Sequence, residues 1–293
     1  MKRVLIRINS GALGDTIAWF PYIEKYRYEN LLDVIWVNCK QLWADTLFKK
    51  VYPYHIFNSG HDNSWYDEIY DISCSIDASK NVITYPSFQP LQKIASSQLG
   101  FEEFEEIKPR IFIKNLLNRE EYRNTVSIGF HSTTQAKYWN NPNGWEEVVE
   151  YLISKDITIY SLDRFKTFGN GKVNMWNTLP DNVIFEKDIN INKIVSILSV
   201  SDFFIGLGSG LSWLAWALDI PVIMISGFSD PITEFKDNMY RVHNKDVCNS
   251  CFNKNRLDPG EWLWCPSYKK KELFECTKSI TSDDVIKKIK LLI

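Results

Sequence analysis

Short apolar runs alternate with helical stretches in two successive series, which predicts an α/β chain of two Rossmann-like domains facing a cleft. A glycine-bearing strand-to-helix turn in each series points to anion binding or catalysis at that cleft. Four cysteines clustered near the C-terminus predict a small metal-binding insertion. The 293 residues suffice for two domains, and a hydrophobic content of 45% suits a sizeable core. A formal charge of -2 offers no basic field for nucleic acid. The opening MKRVLIRINSG starts with basic residues, but Arg7 breaks its apolar run and no small-residue cleavage site follows, so it does not read as a signal peptide. No run of about 18 apolar residues occurs. A cytoplasmic chain with no membrane partner is expected.

The first domain is read as 1–124. Strands are expected at 2–9, 33–38 and 54–58, with helices at 15–28, 41–50 and 86–99. The charged stretch FEEFEEIKPR and the polar residues near Asn118–Asn124 mark the boundary. The second domain, 125–293, opens with strand VSIGFHS at 126–132. The helix GWEEVVEYLISKD follows, with Trp145, Val148, Val149 and Leu152 on one face. Strand ITIYSLD, helix NINKIVSILSVS, strand and turn DFFIGLGSG, buried helix LSWLAWALD and strand PVIMISG continue the alternation. A final amphipathic helix over 282–293 takes Ser282 as its N-cap. Trp213 and Trp216 read as core, Trp262 and Trp264 as flanks of the cysteine loop, and Lys269–Lys271 as a solvated face.

The first turn, NSGALGDTIAW, contains Gly11, Ala12, Leu13 and Gly14, followed by Asp15. Asn9 stands where a dinucleotide fingerprint requires glycine, and the next strand ends on Asn38 rather than an acid. A nicotinamide site is therefore not expected. Asp15 has two readings, a helix cap or a general base facing a nucleotide held by the other domain. The second turn, IGLGSGLSW, carries no acid, and its Ser209, Gly210 and Leu211 suit a diphosphate. No D-x-D occurs in the chain, so a leaving diphosphate would need backbone amides and a cation. Lys137 is the candidate cation, with Ser132, Thr133, Thr134 and Gln135 in the same loop as donors to phosphate; His131 reads as structural.

Cys248, Cys251, Cys265 and Cys276 are spaced C-x2-C-x13-C-x10-C, while Cys39 and Cys74 stand apart on core elements. Four thiolates suit zinc or iron and leave no open position for catalysis, so the metal would be structural.

The stretches GALGDTIAWFPY, HSTTQAKYWNNPNGW, FFIGLGSGLSWLAWALDIPVIMISGFSDP and CNSCF…WLWCP…ECTKSIT resemble the bacterial autotransporter O-heptosyltransferases, which are heptosyltransferase-like GT-B glycosyltransferases. The resemblance runs from Arg3 to about Val285. It implies an inverting transfer of heptose from ADP-heptose to a Ser or Thr hydroxyl of a protein, without a catalytic divalent metal. It implies Asp15 as base, Lys137 at the diphosphate and Ser209 and Gly210 at the nucleotide-side turn. It also implies ferric iron at the four cysteines, with zinc as the alternative, and a C-terminal helix that crosses back to the first domain. The chain departs from the wider heptosyltransferases at Gly208, where they carry an acid, and at Trp213, where they carry histidine. It begins at the first Rossmann strand, so the extra N-terminal domain of those transferases is not expected. Other readings are a different nucleotide sugar with a glycan or modified nucleic-acid acceptor, or a non-enzymatic metal-knuckle binding module. Self-association into a homo-oligomer is compatible with all of them.

Overall fold

The computed structural model describes residues 2–74, 86–258, 260–267 and 273–293; the Lys269–Lys271 run lies outside them. The first half contains β1 (Val4–Ile8), α1 (Leu13–Glu29), β2 (Ile35–Cys39), α2 (Ala44–Phe48), β3 (His55–Phe57), β4 (Glu68–Ile72) and α3 (Leu91–Gln98). Its four strands form a parallel sheet in the order β3-β2-β1-β4. Val4, Leu5, Ile6 and Ile8 of β1 are all buried, as expected of a parallel strand covered on both faces. The sequence reading omitted β4. It is an edge strand whose acids are neutralised by neighbours: Lys2 pairs with Glu68 at 2.7 Å and Arg7 with Asp71 at 2.6 Å.

The second half contains β5 (Thr125–Gly129), α4 (Gly144–Ile153), β6 (Thr158–Ser161), β7 (Thr167–Asn170), β8 (Met175–Thr178), α5 (Ile191–Leu198), β9 (Phe203–Leu207), α6 (Gly210–Ala217), β10 (Val222–Ile225) and β11 (Met239–Val242). Short helices α7 (Cys251–Lys254) and α8 (Glu275–Lys278) precede α9 (Ser282–Ile289). Five strands pair in parallel in the order β11-β10-β9-β5-β6, and β7 and β8 form an antiparallel hairpin. In both sheets the strand order reverses beside a central strand, β1 in the first and β5 in the second. Such a reversal opens a crevice at the C-terminal ends of the strands.

One hydrophobic core joins the halves. Trp19, Phe20 and Tyr22 of α1 share it with Ile194 and Leu198 of α5 and with Trp213, Leu214 and Trp216 of α6. Each such buried side chain contributes about 1.5–3 kcal/mol. Trp19 Nε1 donates to the Leu91 carbonyl at 2.9 Å, and Leu91 N–H donates to Thr233 O in the second half at 2.8 Å. A second core lies on the other face of the larger sheet.

The C-terminal helix corrects two expectations. Its cap is Thr281, one residue before Ser282: the Thr281 hydroxyl accepts from Asp284 N–H while the Asp284 carboxylate accepts from Thr281 N–H. The helix does not cross back. Val285 and Ile289 pack into the second core with Val148, Leu152 and Val242, because that stripe matches the uncovered face of α4, β10 and β11. Among the described residues no helix is long and apolar enough to cross a membrane.

Candidate active site

The chain leaves β1 through Asn9, whose amide N–H bonds Ile72 O at 2.8 Å and whose side chain donates to Asp71 at 2.6 Å. This ties the first turn to β4. α1 then begins with Ala12 as N-cap, without a side-chain cap bond, and Asp15 is its third residue. The helix-cap reading of Asp15 therefore does not hold. Its Oδ2 accepts instead from Ser10 Oγ at 2.6 Å and from the Cys74 thiol at 3.8 Å. Ser10 Oγ is itself oriented by accepting from Ala12 N–H at 3.1 Å. Burial pushes the Asp15 carboxyl above its ordinary pKa, against Ser10, Lys137 and Cys74, which all lower it. A helix dipole favours the ionised form of a first-turn acid, whereas desolvation here opposes it. The outcome suits a base, since a carboxylate closer to neutrality is the better proton acceptor.

The two glycine turns touch. A Cβ on Gly14 would stand 3.2 Å from Trp213 Cδ1 and 3.4 Å from Gly210 Cα. A Cβ on Gly210 would stand 2.8 Å from Leu13 Cβ and 2.9 Å from Gly14 N. Glycine at 14 and 210 thus lets α1 and α6 meet backbone to backbone. It is Gly11, with nothing within 4 Å of its missing Cβ, that leaves open space.

Around this contact lies a cavity of about 380 Å³, walled by the C-terminal ends of β1, β5, β6, β9 and β10. Gly11, Ala12, Leu13, Gly14 and Asp15 line one side, and Ser209, Gly210 and Leu211 line another. Ser209 is the N-cap of α6 and makes no side-chain cap bond, so the first N–H groups of α6 are available to an anion.

Lys137 closes the third side, with Nζ 5.4 Å from the centre of the Phe228 ring. Burial lowers its pKa, while the charges of Asp15, Glu234 and Cys74 raise it. Ser132 and Thr133 join it in the lining. Thr134 and Gln135 do not, which corrects their assignment as phosphate donors. Thr134 Oγ1 donates to Trp262 O at 2.9 Å. Gln135 donates to Asn140 and Asn177 and accepts from Asn177 and Trp262. Both are buried and satisfied by the loop behind them. His131 borders the cavity with both ring nitrogens engaged: Nε2 donates to Phe165 O at 3.0 Å, so Nδ1 accepts from the Tyr138 hydroxyl at 3.2 Å.

Sequence reasoning missed several lining residues. Asp163, after β6, accepts from the N–H groups of Phe130 and His131 at 2.9 and 3.0 Å and anchors the Lys137 loop. Trp43 and Arg164 face each other at the mouth, 5.9 Å apart. Glu234 enters from the loop after β10. Their common signal was position, since each follows the C-terminal end of a parallel strand.

The cysteine segment packs against the back of this site. Cys251 and Cys265 pack against a small core of Ala136, Phe228, Trp264 and Phe274, so Trp264 is buried. Burial pushes the Cys251 thiol up to about 11, with Cys248 and Cys265 adding to it, and Cys276 is raised by burial and by the other three. The four thiols are thus within electrostatic reach of one another. Among the described residues no group of three or more His, Cys, Asp or Glu is arranged to hold a metal ion.

Two parallel sheets meeting at a nucleotide-sized cavity, with an acid on one side and a cation and helix end on the others, define a GT-B-like glycosyltransferase. Residues 94–259 match glycosyltransferase family 9 (heptosyltransferase). The autotransporter heptosyltransferase Aah of Escherichia coli is 36% identical, over 99% of this chain and 74% of that protein. The crystal structure of the iron-containing dodecameric glycosyltransferase TibC from enterotoxigenic E. coli matches with a TM-score of 0.89 at 31% identity, over 99% of this chain and 76% of that one. TibC has also been solved in complex with ADP-D-β-D-heptose, and that structure matches at a TM-score of 0.88 and 30% identity, with the same coverage of 99% and 76%. The inactive autotransporter heptosyltransferase BimC of Burkholderia thailandensis is 26% identical, over 99% of this chain and 68% of that protein. The chain belongs to glycosyltransferase family 9, with the autotransporter heptosyltransferases among its relatives.

Proposed function

We propose that this chain transfers heptose from ADP-heptose to a Ser or Thr hydroxyl of a protein, with inversion at the anomeric carbon. The observation that carries this reading is Asp15: a carboxylate raised in pKa by burial, lining the cavity where α1 meets the N-terminus of α6. Asp15 takes the proton of the acceptor hydroxyl. The hydroxyl oxygen attacks the anomeric carbon from the face opposite the leaving group, and the bond from that carbon to the diphosphate oxygen breaks. Lys137, Ser132, Thr133 and the first N–H groups of α6 stabilise the negative charge that the ADP leaving group takes with the electron pair of that bond. The likeness to TibC supports the donor, and the autotransporter relatives support a protein acceptor. On this reading the first domain, 1–124, presents the base and acceptor, and the second, 125–293, holds the donor, in the cytoplasm.

Cys248, Cys251, Cys265 and Cys276 would hold iron, as TibC is iron-containing, with zinc as the alternative. Cys251 and Cys265 flank one small core, Cys248 and Cys276 act on them electrostatically, and sulfur donors suit either metal. Such an ion would cross-link the segment, and no step of the transfer is routed through it. Assembly into a homo-oligomer has the same support, since TibC is dodecameric.

The test incubates the chain with ADP-heptose and a Ser/Thr-containing autotransporter fragment and reads intact mass. Addition of whole heptose increments to the fragment, with release of ADP, is expected. Failure of a folded, ADP-heptose-binding chain to consume the donor with any hydroxyl acceptor would overturn the proposal. BimC shows that relatives in this group include one named inactive, so turnover is the decisive readout.

A further inference from the structure

Besides Asp15 and the loop-anchoring Asp163, the cleft contains a carboxylate that the transfer described above does not use. Glu234 is 5% exposed and lines the cavity. Its Oε1 accepts from Ser229 Oγ at 2.5 Å, and its Oε2 accepts from Arg241 Nη1 at 2.8 Å. Arg241, in β11, also donates through Nη2 to the Ser229 carbonyl at 2.5 Å. The carboxylate is thus paired and fixed in orientation from behind, yet each of its oxygens has capacity for another donor.

Gly208 governs access to it. A Cβ at that position would stand 3.2 Å from Glu234 Oε1, 3.3 Å from Ser226 Oγ and 3.4 Å from Ser229 Oγ. The bare Cα therefore leaves the edge of the carboxylate open to the cavity, directly before Ser209. A buried Glu–Arg pair serving only the fold would need neither the opening nor the cavity.

A negative group beside a diphosphate site repels phosphate, so its natural ligand is a neutral donor, and hydroxyls are the neutral donors of a nucleotide sugar. Two parts of such a donor carry adjacent hydroxyls, the ribose and the transferred sugar. Glu234 bonds Ser229, the residue after Phe228, and Lys137 Nζ lies over the Phe228 ring at 5.4 Å, so the carboxylate stands on the Lys137 side of the cavity, which on the nucleotide-sugar reading is the side of the transferred sugar rather than the far nucleoside end. We propose that Glu234 accepts hydrogen bonds from hydroxyls of the transferred sugar ring and so selects the sugar, with Gly208 keeping that path clear. This rests on the nucleotide-sugar reading above.

Calorimetry with ADP and with ADP-heptose tests it, on the full chain and on Glu234→Gln and Gly208→Ala. The alanine variant covers the carboxylate with a methyl group while leaving the Glu234–Arg241 pair in place, so it guards against misfolding. Both variants are expected to bind ADP within about twofold of wild type and ADP-heptose about 10- to 100-fold more weakly, the range for a lost hydrogen bond to a charged group. Variants that bind ADP-heptose as tightly as wild type, or that lose ADP and ADP-heptose equally, would overturn this assignment alone. A wild-type chain that binds neither ligand would overturn the donor reading and this assignment with it.

Discussion

The turns after β1 and β9 are built alike and charged oppositely. Each follows an interior strand, spends two glycines within a few residues and starts a buried helix. The first fills its own electropositive helix end with Asp15. The second carries only Ser209 and bare N–H groups there. Local architecture thus creates a site favourable to anions in both places, and on the proposed reading a single side chain decides whether a phosphate or an acceptor hydroxyl uses it. Because Gly14 and Gly210 are in contact, the two chemistries face each other across one small volume.

The most severe way to break this division of labour is Asp15→Asn. It retains the size of the side chain but cannot take a proton. Transfer is expected to fall about 10²–10⁴-fold, while calorimetric affinity for ADP-heptose stays near wild type. Lost donor binding in a folded variant would instead place the phosphate at the first turn. The same variant reports on stability. The folded carboxyl titrates above the unfolded one, so the unfolded chain holds fewer protons between the two pKa values and ionised Asp15 destabilises the fold. Asp15→Asn should therefore be more stable than wild type at pH 7, with the difference vanishing below the ordinary Asp value of about 3.9. Urea melts at both pH values measure this.

Lys137→Ala removes the cation on the donor side. It should cost about 2–4 kcal/mol of transition-state stabilisation, read as kcat/KM for ADP-heptose. Activity of the wild type should persist in a chelator of soluble divalent cations, because the charge is met by Lys137 and α6. An obligatory soluble divalent metal would contradict that assignment.

Backbone contact between the turns is tested by a pair of glycine substitutions. Gly210→Ala drives a methyl against Leu13 and Gly14 and should destabilise by about 1–3 kcal/mol. Gly11→Ala meets open space and should stay within about 0.5 kcal/mol of wild type. Equal melting temperatures for the two would contradict the contact. The smallest effect on chemistry is expected from Cys251→Ser: loss of about one metal ion per chain by elemental analysis, with loosening of the 245–280 segment in hydrogen exchange. A wild-type chain purified with neither iron nor zinc would remove the metal assignment.

The interior strands and both turns were legible because a parallel strand buried on both faces reads as an apolar run and a close backbone approach reads as glycine. β4 was not, because its half-buried sequence EIYDI hides among acids that Lys2 and Arg7 neutralise only in three dimensions. The hairpin of β7 and β8 is short and only half-buried, and its segments TFGN and MWNT show no apolar alternation to read. In the Lys137 loop, the sequence listed four donors in a row but not which way each faces. Thr134 and Gln135 turn to Trp262, more than a hundred residues away in the chain. Glu234 was invisible for the same reason: its partner Arg241 and its opening at Gly208 come from two other segments.

The contact of Gly14 with Gly210 also sets how such a molecule can move. Two lobes joined at the floor of their cleft by touching backbones have a pivot there, and displacement in a rotation grows with distance from the pivot. A swing of one lobe would part Trp43 from Arg164 at the mouth while hardly changing the separation of Asp15 from the first N–H groups of α6. On the proposed function, entry of donor and exit of ADP would then be gated without the reacting groups having to find each other again on every turnover.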